Sequence, residues 1–360
     1  MKKTTIALIA ALVLTGCASQ PTPTQPADTT AAETVAETTA ETTAETAAET
    51  TVETTETEAQ TEAEQSAETA GEDAEEDEEN YDTGDASLDN VRNQDGIGEN
   101  ELLVVSFGTS FNDSRRLTIG AIENTLEENI PDYSVRRGFT SNIIVDHVQK
   151  RDGVLIDDVD AALTRAVDNG VKNLVIQPTH LMHGYEYDEL VAKVGNYADA
   201  FDKVVFSEPL LTSDDDFKRV ETAMVDWTKE YDDGNTAIVF MGHGTEHEYN
   251  AVYQKMQDML TADGYTNYFI GTVEATPSLD DVIAKVKEGE YTKVVLEPLM
   301  VVAGDHANND MASDEEDSWK TIFTNEGYEV ECVLRGIGEN EQIREIYVDH
   351  AKAAIESISE

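Results

Sequence analysis

The sequence predicts an α/β protein of two similar lobes, each with a mainly parallel sheet flanked by helices, which face each other across a cleft. Two observations predict this class. From residue 101 onward, short apolar runs alternate with amphipathic stretches, and motifs of the first half recur in the second half. Strands that alternate with helices form right-handed βαβ units, and hence a parallel sheet covered on both faces. Ligand sites in such folds lie beyond the carboxyl ends of the strands.

The elements are expected in a regular order. The short apolar and β-branched runs predict eight strands, at 102–107, 134–138, 173–177, 203–206, 236–241, 268–272, 293–297 and 329–334. Amphipathic stretches between them predict helices that include 114–128, 157–169, 215–230, 251–262, 279–288 and 340–357. The sequence therefore predicts an N-terminal lobe over 98–230 and a C-terminal lobe over 231–360.

An internal repeat supports the two-lobe prediction. Residues 103–109 (Leu-Val-Val-Ser-Phe-Gly-Thr) align with residues 239–245 (Val-Phe-Met-Gly-His-Gly-Thr) on their Gly-Thr steps. Residues 174–178 align with residues 294–298, and this second alignment places Gly184 over Gly304 and Glu186 over His306.

The N-terminus has the features of a targeting signal. Lys2 and Lys3 precede an apolar run over 6–14 that is too short to cross a bilayer, and Leu-Thr-Gly-Cys at 14–17 resembles a bacterial lipobox. Residues 1–17 are therefore predicted to be a lipoprotein signal peptide, cut before a lipidated Cys17. The protein is then expected outside the cytoplasm, anchored to the bacterial membrane at the cell surface or in the periplasm. An ordinary secretory signal with an incidental cysteine is the alternative.

Residues 18–97 are predicted to be a disordered acidic linker rich in Thr, Ala and Glu. The range 18–99 holds 24 acids and a single base, Arg92, with almost no apolar bulk. The whole chain carries a formal net charge of −51, which excludes binding to a nucleic-acid backbone. No Gly-rich phosphate loop of the P-loop type is present in the sequence, so no nucleotide cofactor is expected.

Candidate metal ligands follow three predicted strands. His243 lies between two glycines after 236–241, Glu274 follows 268–272, and His306 follows 293–297 in an Ala-Gly-Asp-His-Ala segment. Two imidazoles and a carboxylate suit Co, Ni, Fe(II) or Zn better than Mg or Ca. Three protein ligands also leave coordination positions open. These residues alone leave a second interpretation, in which His243 and His306 are structural loop histidines.

Three segments carry a family resemblance: 178–187 (Pro-Thr-His-Leu-Met-His-Gly-Tyr-Glu-Tyr), 241–247 (Met-Gly-His-Gly-Thr-Glu-His) and 298–311 (Pro-Leu-Met-Val-Val-Ala-Gly-Asp-His-Ala-Asn-Asn-Asp-Met). Together with Ser-Phe-Gly-Thr-Ser at 106–110, they resemble the anaerobic-type sirohydrochlorin cobaltochelatases of the class II chelatase family, over residues 101–356. The resemblance implies a chelatase-like fold of two α/β halves related by duplication. Together with the predicted signal peptide, it predicts an exported lipoprotein form of this family.

The resemblance also implies an activity. The family inserts Co(II) into sirohydrochlorin or precorrin-2 on the anaerobic route to cobalamin, with Fe(II) or Ni(II) as alternative metals, so cobalt is a substrate. Its metal ligands map by motif onto His243, Glu274 and His306. Glu186 corresponds to a carboxylate that the family uses near the metal and the substrate. His243, His306 and Glu186 are then the candidates to accept the pyrrole protons.

Contacts to the tetrapyrrole are predicted from charge. Sirohydrochlorin carries several carboxylates, so Arg115 and Arg136 are expected to bind them, although a solvated surface spread of these bases is the alternative. His183 and His180 could contact a bound metallated tetrapyrrole. For His247, a role in capping a helix start or in facing solvent stays open.

The predicted export signal leaves a second function open. Cobalamin synthesis is cytoplasmic, so a non-catalytic surface lipoprotein that captures haem or metal is the alternative to an exported chelatase. A homo-oligomer is compatible with either function.

Overall fold

The computed structural model describes residues 82–359, so the predicted signal peptide, Cys17 and most of the predicted linker lie outside the described residues. All eight predicted strands are confirmed. They are β1 (Asn100–Ser106), β2 (Ser134–Phe139), β3 (Asn173–Pro178), β4 (Lys203–Phe206), β5 (Thr236–Gly242), β6 (Tyr268–Thr272), β7 (Lys293–Pro298) and β8 (Glu329–Cys332). They form two four-stranded sheets, in the orders β2-β1-β3-β4 and β6-β5-β7-β8.

Helices connect the strands. They are α1 (Asn112–Leu117), α2 (Ile119–Asn129), α3 (Asn142–Asp152), α4 (Val159–Asp168), α5 (Tyr185–Gly195), α6 (Asp214–Thr228), α7 (Ala251–Ala262), α8 (Leu279–Val286), α9 (Trp319–Asn325) and α10 (Glu341–Ser359). Within residues 82–359, none of the helices is both long enough and apolar enough to cross a membrane.

Both sheets are entirely parallel and share one register. In the first sheet, β1 pairs with β3 from Asn100 opposite Asn173 to Val105 opposite Pro178. In the second sheet, β5 pairs with β7 from Thr236 opposite Lys293 to Met241 opposite Pro298. Parallel strands covered by helices on both faces are buried on both faces, and the central strands of each sheet are accordingly continuous apolar runs.

Helix α10, at the end of the predicted C-terminal lobe, packs on the first lobe, which corrects the predicted boundary. Helix α10 packs on α2, β3 and β4 of the first lobe, and the Tyr347 hydroxyl donates to the Thr179 carbonyl at 2.7 Å. Helix α6, placed in the first lobe by sequence order, packs on both α10 and α7. A simple division at residue 230 is therefore wrong for α10, because its apolar face covers the first sheet.

The end of the predicted linker is also part of the fold. Asp89 accepts charged hydrogen bonds from Arg115 and Arg137, and Arg92 is 1% exposed and pairs with buried Glu123. The prediction of a disordered linker that extends to residue 97 is therefore wrong for residues 82–97. Asp89 neutralises arginines that would otherwise be buried charges with too few partners, which stabilises the segment on the first lobe.

Candidate metal centre

The carboxyl edge of the second sheet carries the three predicted ligands. His243 follows β5 directly, and Glu274 lies two residues beyond β6. The pairing of these strands continues past their ends, because the Glu274 N–H donates to the His243 carbonyl at 2.9 Å. His306 lies in the segment after β7, at the start of a short helical turn. The parallel sheet therefore gathers side chains that are far apart in sequence.

The three side chains are close enough to share one cation. One ligand atom from each residue lies within 4.8 Å of the other two. His243 Nε2 is 3.8 Å from a Glu274 carboxylate oxygen, and the rings of His243 and His306 meet edge to face with centroids 4.7 Å apart. Across residues 82–359, no other group of three His, Cys, Asp or Glu side chains has such spacing. The structure thus brings together the ligand set that the sequence predicts.

Both imidazoles are prepared to bind a metal through Nε2. His243 Nδ1 lies 2.7 Å from the Gly244 carbonyl oxygen, and His306 Nδ1 lies 2.7 Å from Asp310 Oδ2. A carbonyl and a carboxylate only accept hydrogen bonds, so in each ring Nδ1 carries the proton and Nε2 presents a lone pair. Such partners fix the tautomer and the orientation of metal-binding histidines.

Two glycines shape the loop that carries His243. A Cβ atom on Gly242 would lie 2.2 Å from the Tyr253 ring, which packs beneath the end of β5. Gly244 has a φ of +88°, a conformation that other residues rarely adopt, and its N–H donates to the Tyr253 hydroxyl at 3.3 Å. The Gly-His-Gly pattern is therefore needed both for the close packing and for the turn.

Acidic neighbours control the protonation of His306. Burial lowers its pKa, but the hydrogen bond to Asp310 and the charges of Asp310, Asp305 and Glu274 outweigh burial, so its pKa is raised above the ordinary value. The same negative charges attract a divalent cation. The centre therefore favours a positive charge at this point, whether it comes from a proton or from a metal.

Glu186 belongs to the first lobe and is not part of the three-residue cluster. It lies in the first turn of α5, next to Gly184, and is exposed. Burial raises the pKa of Tyr253 to about 12, against hydrogen bonds from the backbone of Gly244 and His243, and the charge of Glu186 adds to the rise. The Glu186 carboxylate is therefore near enough to influence the charge state of Tyr253, which contacts the His243 loop.

The predictions for two arginines are wrong. The Arg115 side chain is buried and donates to Asp89, to the Thr109 carbonyl and to Asn112. Arg136 is 2% exposed and donates to the carbonyls of Arg92 and Gln94. Both guanidinium groups are occupied inside the first lobe, so neither is free to bind a substrate carboxylate.

The three other histidines of the strand ends have different surroundings. His183 Nε2 is 3.1 Å from a Glu208 carboxylate oxygen, and its contact with substrate stays a prediction. Both ring nitrogens of His180 are buried without a hydrogen-bond partner in the described chain, and burial lowers its pKa against the charge of Glu186. His247 accepts a hydrogen bond from the Tyr249 N–H, which is the capping role left open by the sequence.

The internal repeat is visible in the backbone. In the first lobe, the Thr140 and Ser141 N–H groups donate to the carbonyls of Ser106 and Phe107, as Val273 and Glu274 donate to Gly242 and His243 in the second. Phe107 and Ser141 therefore stand where the second lobe has His243 and Glu274. Only the second lobe carries the full ligand set.

Sequence reasoning missed one supporting residue. Asp310 follows His306 by four residues, a spacing that places the two side chains on the same face of a helical turn. That spacing was the available signal. The spacing alone does not indicate a helical turn, because Ala307–Met311 form a single wide turn without the apolar pattern of a helix.

Two curated relatives match most of the chain. A sirohydrochlorin cobaltochelatase of Salmonella typhimurium is 38% identical over 254 residues, which cover 71% of this chain and 96% of the relative. The sirohydrochlorin cobaltochelatase CbiKC of Nitratidesulfovibrio vulgaris is 29% identical over 283 residues, which cover 76% of this chain and 98% of the relative.

A solved structure has the same fold. SirB from Bacillus subtilis with Fe3+ superimposes with a TM-score of 0.53 at 12% identity, over 73% of this chain and 98% of SirB. This likeness confirms the predicted chelatase-like α/β fold. The model of the cobalt chelatase (CbiK) family matches residues 100–356, which contain both sheets and the whole metal centre. The chain therefore belongs to the CbiK cobalt chelatase family.

Proposed function

We propose that this protein is a sirohydrochlorin cobaltochelatase that inserts Co(II) into sirohydrochlorin in cobalamin synthesis of the anaerobic type. Family membership and the relative at 38% identity support this function. The observation that carries it is the cluster of His243, Glu274 and His306, in which Nδ1 of each imidazole is hydrogen-bonded and Nε2 keeps its lone pair. Nitrogen donors with one carboxylate suit Co(II), and also Fe(II) and Ni(II).

The three ligands first hold the incoming metal and then release it one bond at a time. The exposure of the His243 and Glu274 side chains, 45% and 56%, leaves the outward side of the centre open to a macrocycle. Each imidazole that leaves the metal regains a free Nε2 lone pair. That nitrogen is then able to accept a proton, because imidazole titrates near neutral pH.

Proton balance assigns the remaining roles. A Co(II) ion that enters the free-base macrocycle replaces two pyrrole protons, so two acceptors are needed. His306 suits one of these roles, because Asp310 stabilises the imidazolium that forms when Nε2 takes the proton. Glu186, a carboxylate on the opposite lobe, is proposed as the second acceptor.

An anaerobic absorbance time course tests this function. The full chain is mixed with sirohydrochlorin and Co(II), beside His243→Ala and a matched His147→Ala variant in helix α3. A rate above background that is lost only in His243→Ala supports the chelatase. No acceleration, together with stoichiometric binding of haem or metal, would instead favour a capturing lipoprotein. Parallel runs with Fe(II) and Ni(II) rank the metals.

We also propose that the protein is exported and anchored through a lipid on Cys17. The support is the charged start, the apolar run and the Leu-Thr-Gly-Cys ending of residues 1–17. Incorporation of a labelled fatty acid and recovery in the membrane fraction are expected for the natural chain and not for Cys17→Ser. Equal recovery of both forms in the soluble fraction contradicts the anchor.

A further inference from the structure

Five side chains form a connected row of rings between the two lobes. We call His183, Tyr185, Tyr187, His247 and Tyr249 the ring bridge. Neighbouring ring centroids are 4.6 Å apart for His183 and Tyr187, and 5.5 Å apart for the stacked pair His247 and Tyr249.

Three contacts of the bridge cross from lobe to lobe. Tyr185 meets His247 edge to face at 4.8 Å, and His183 lies 5.3 Å from Tyr249. Asp188 Oδ2 also lies 3.5 Å from His247 Nε2. The first-lobe residues of these contacts lie within 183–188 and the second-lobe residues within 247–249, so the contacts join one short segment of each lobe.

The tautomer of His247 separates it from the metal ligands. Its Nδ1 accepts a hydrogen bond from the Tyr249 N–H at 3.3 Å, so the neutral ring carries its proton on Nε2, the atom that faces Asp188. His243 and His306 have the opposite tautomer, with Nε2 free. His247 is therefore arranged for contact between the lobes and not for metal binding.

Glu186 is held inside this bridge. It lies between Tyr185 and Tyr187 in the first turn of α5, and both neighbours are ring-bridge members. The ligands of the metal centre all come from the second lobe, whereas Glu186 comes from the first. The position of Glu186 relative to the metal centre therefore depends on contacts between the lobes at this point.

We infer that His247 and Tyr249 are positioning residues, which hold the segment 183–188 against the second lobe and so place the Glu186 carboxylate at the metal centre. The inference rests on the proposed role of Glu186 as a proton acceptor. Misplacement of a reacting group by about 1 Å costs up to about 100-fold in rate, so loss of these contacts is expected to slow insertion.

Kinetics and metal binding in the full chain test the inference. His247→Asn keeps a side-chain acceptor for the Tyr249 N–H but removes the ring, and Tyr249→Ala removes the second ring. Both variants are expected to lower kcat for cobalt insertion about 10-fold. The affinity for Co(II) alone is expected to stay unchanged, because the three ligands lie outside the bridge. Tyr249→Phe, which keeps the ring, should retain the natural rate.

A double variant separates positioning from a general structural defect. If His247 acts through Glu186, then His247→Asn adds nothing to the loss caused by Glu186→Gln. Additive losses, a natural rate in His247→Asn, or a parallel fall in Co(II) affinity each overturn the inference. A natural rate in Glu186→Gln refutes the proposed role of Glu186 itself, which is a different outcome from failure of the bridge variants alone.

Discussion

Replacement of Asp310 by alanine tests whether the hydrogen bond that orients His306 strengthens metal binding. Asp310 accepts the Nδ1 proton of His306 at 2.7 Å, a short hydrogen bond to an ionised acceptor. Loss of such a partner typically costs about 10- to 100-fold in metal affinity. This corresponds to about 1.4–2.7 kcal/mol of binding free energy. Asp310→Ala is therefore expected to weaken Co(II) binding by one to two orders of magnitude while the three ligands remain in place.

Two companion variants identify the cause. Asp310→Asn keeps a neutral acceptor, which bonds about half as strongly as a charged one. Its affinity for Co(II) should therefore lie between those of the natural chain and Asp310→Ala. Asp305→Asn removes a nearby negative charge that also raises the pKa of His306, without touching the hydrogen bond to Asp310.

Calorimetric titration with Co(II) at pH 8 measures the affinities. A small loss of Co(II) affinity in Asp305→Asn and a large loss in Asp310→Ala support the conclusion that the hydrogen bond from His306 to Asp310 controls the affinity. Equal losses in the two variants, or natural affinity in Asp310→Ala, would refute the reasoning.

Three further outcomes are expected. Burial raises the pKa of Glu101 to about 7 against the charge of Arg136, so its protonated form favours folding and the folding stability falls as pH rises from about 4.5 to about 7. Glu101→Gln should therefore add about 3 kcal/mol to the free energy of unfolding in urea at pH 8 and far less at pH 4. An equal gain at both pH values refutes the shift. Asp89→Ala leaves Arg137 short of a buried partner and should cost about 3–5 kcal/mol, and unchanged urea stability would contradict this. Gly242→Ala forces a Cβ atom against the Tyr253 ring and should lower Co(II) affinity, whereas natural affinity means that the ring moves freely aside.

The strands and the clustering of the candidate metal ligands were predictable because both leave local signals. A parallel strand buried on both faces is a short continuous apolar run, so β1 to β8 stand out in the sequence. His243, Glu274 and His306 follow three of these runs at one, two and eight residues beyond the strand ends, and the carboxyl ends of parallel strands meet at one edge.

Packing across the chain was not predictable in the same way. Nothing in the pattern of residues 341–359 says which lobe its apolar face covers, and α10 covers the first. Arg115 looks like a surface base because it lies beside a second arginine, Arg116. Its partner Asp89 lies 26 residues upstream, in a stretch whose composition predicts disorder.

The position of α10 has a consequence for the order in which the protein is made. The first lobe has all four of its strands once Phe206 has been synthesised, but the helix that covers β3 and β4 is made only after residue 340. Until then, part of the first sheet stays exposed and open to association with other chains. Completion of the first lobe therefore waits for synthesis of the second, and a nascent chain that stalls between the two would expose apolar surface to chaperones and proteases.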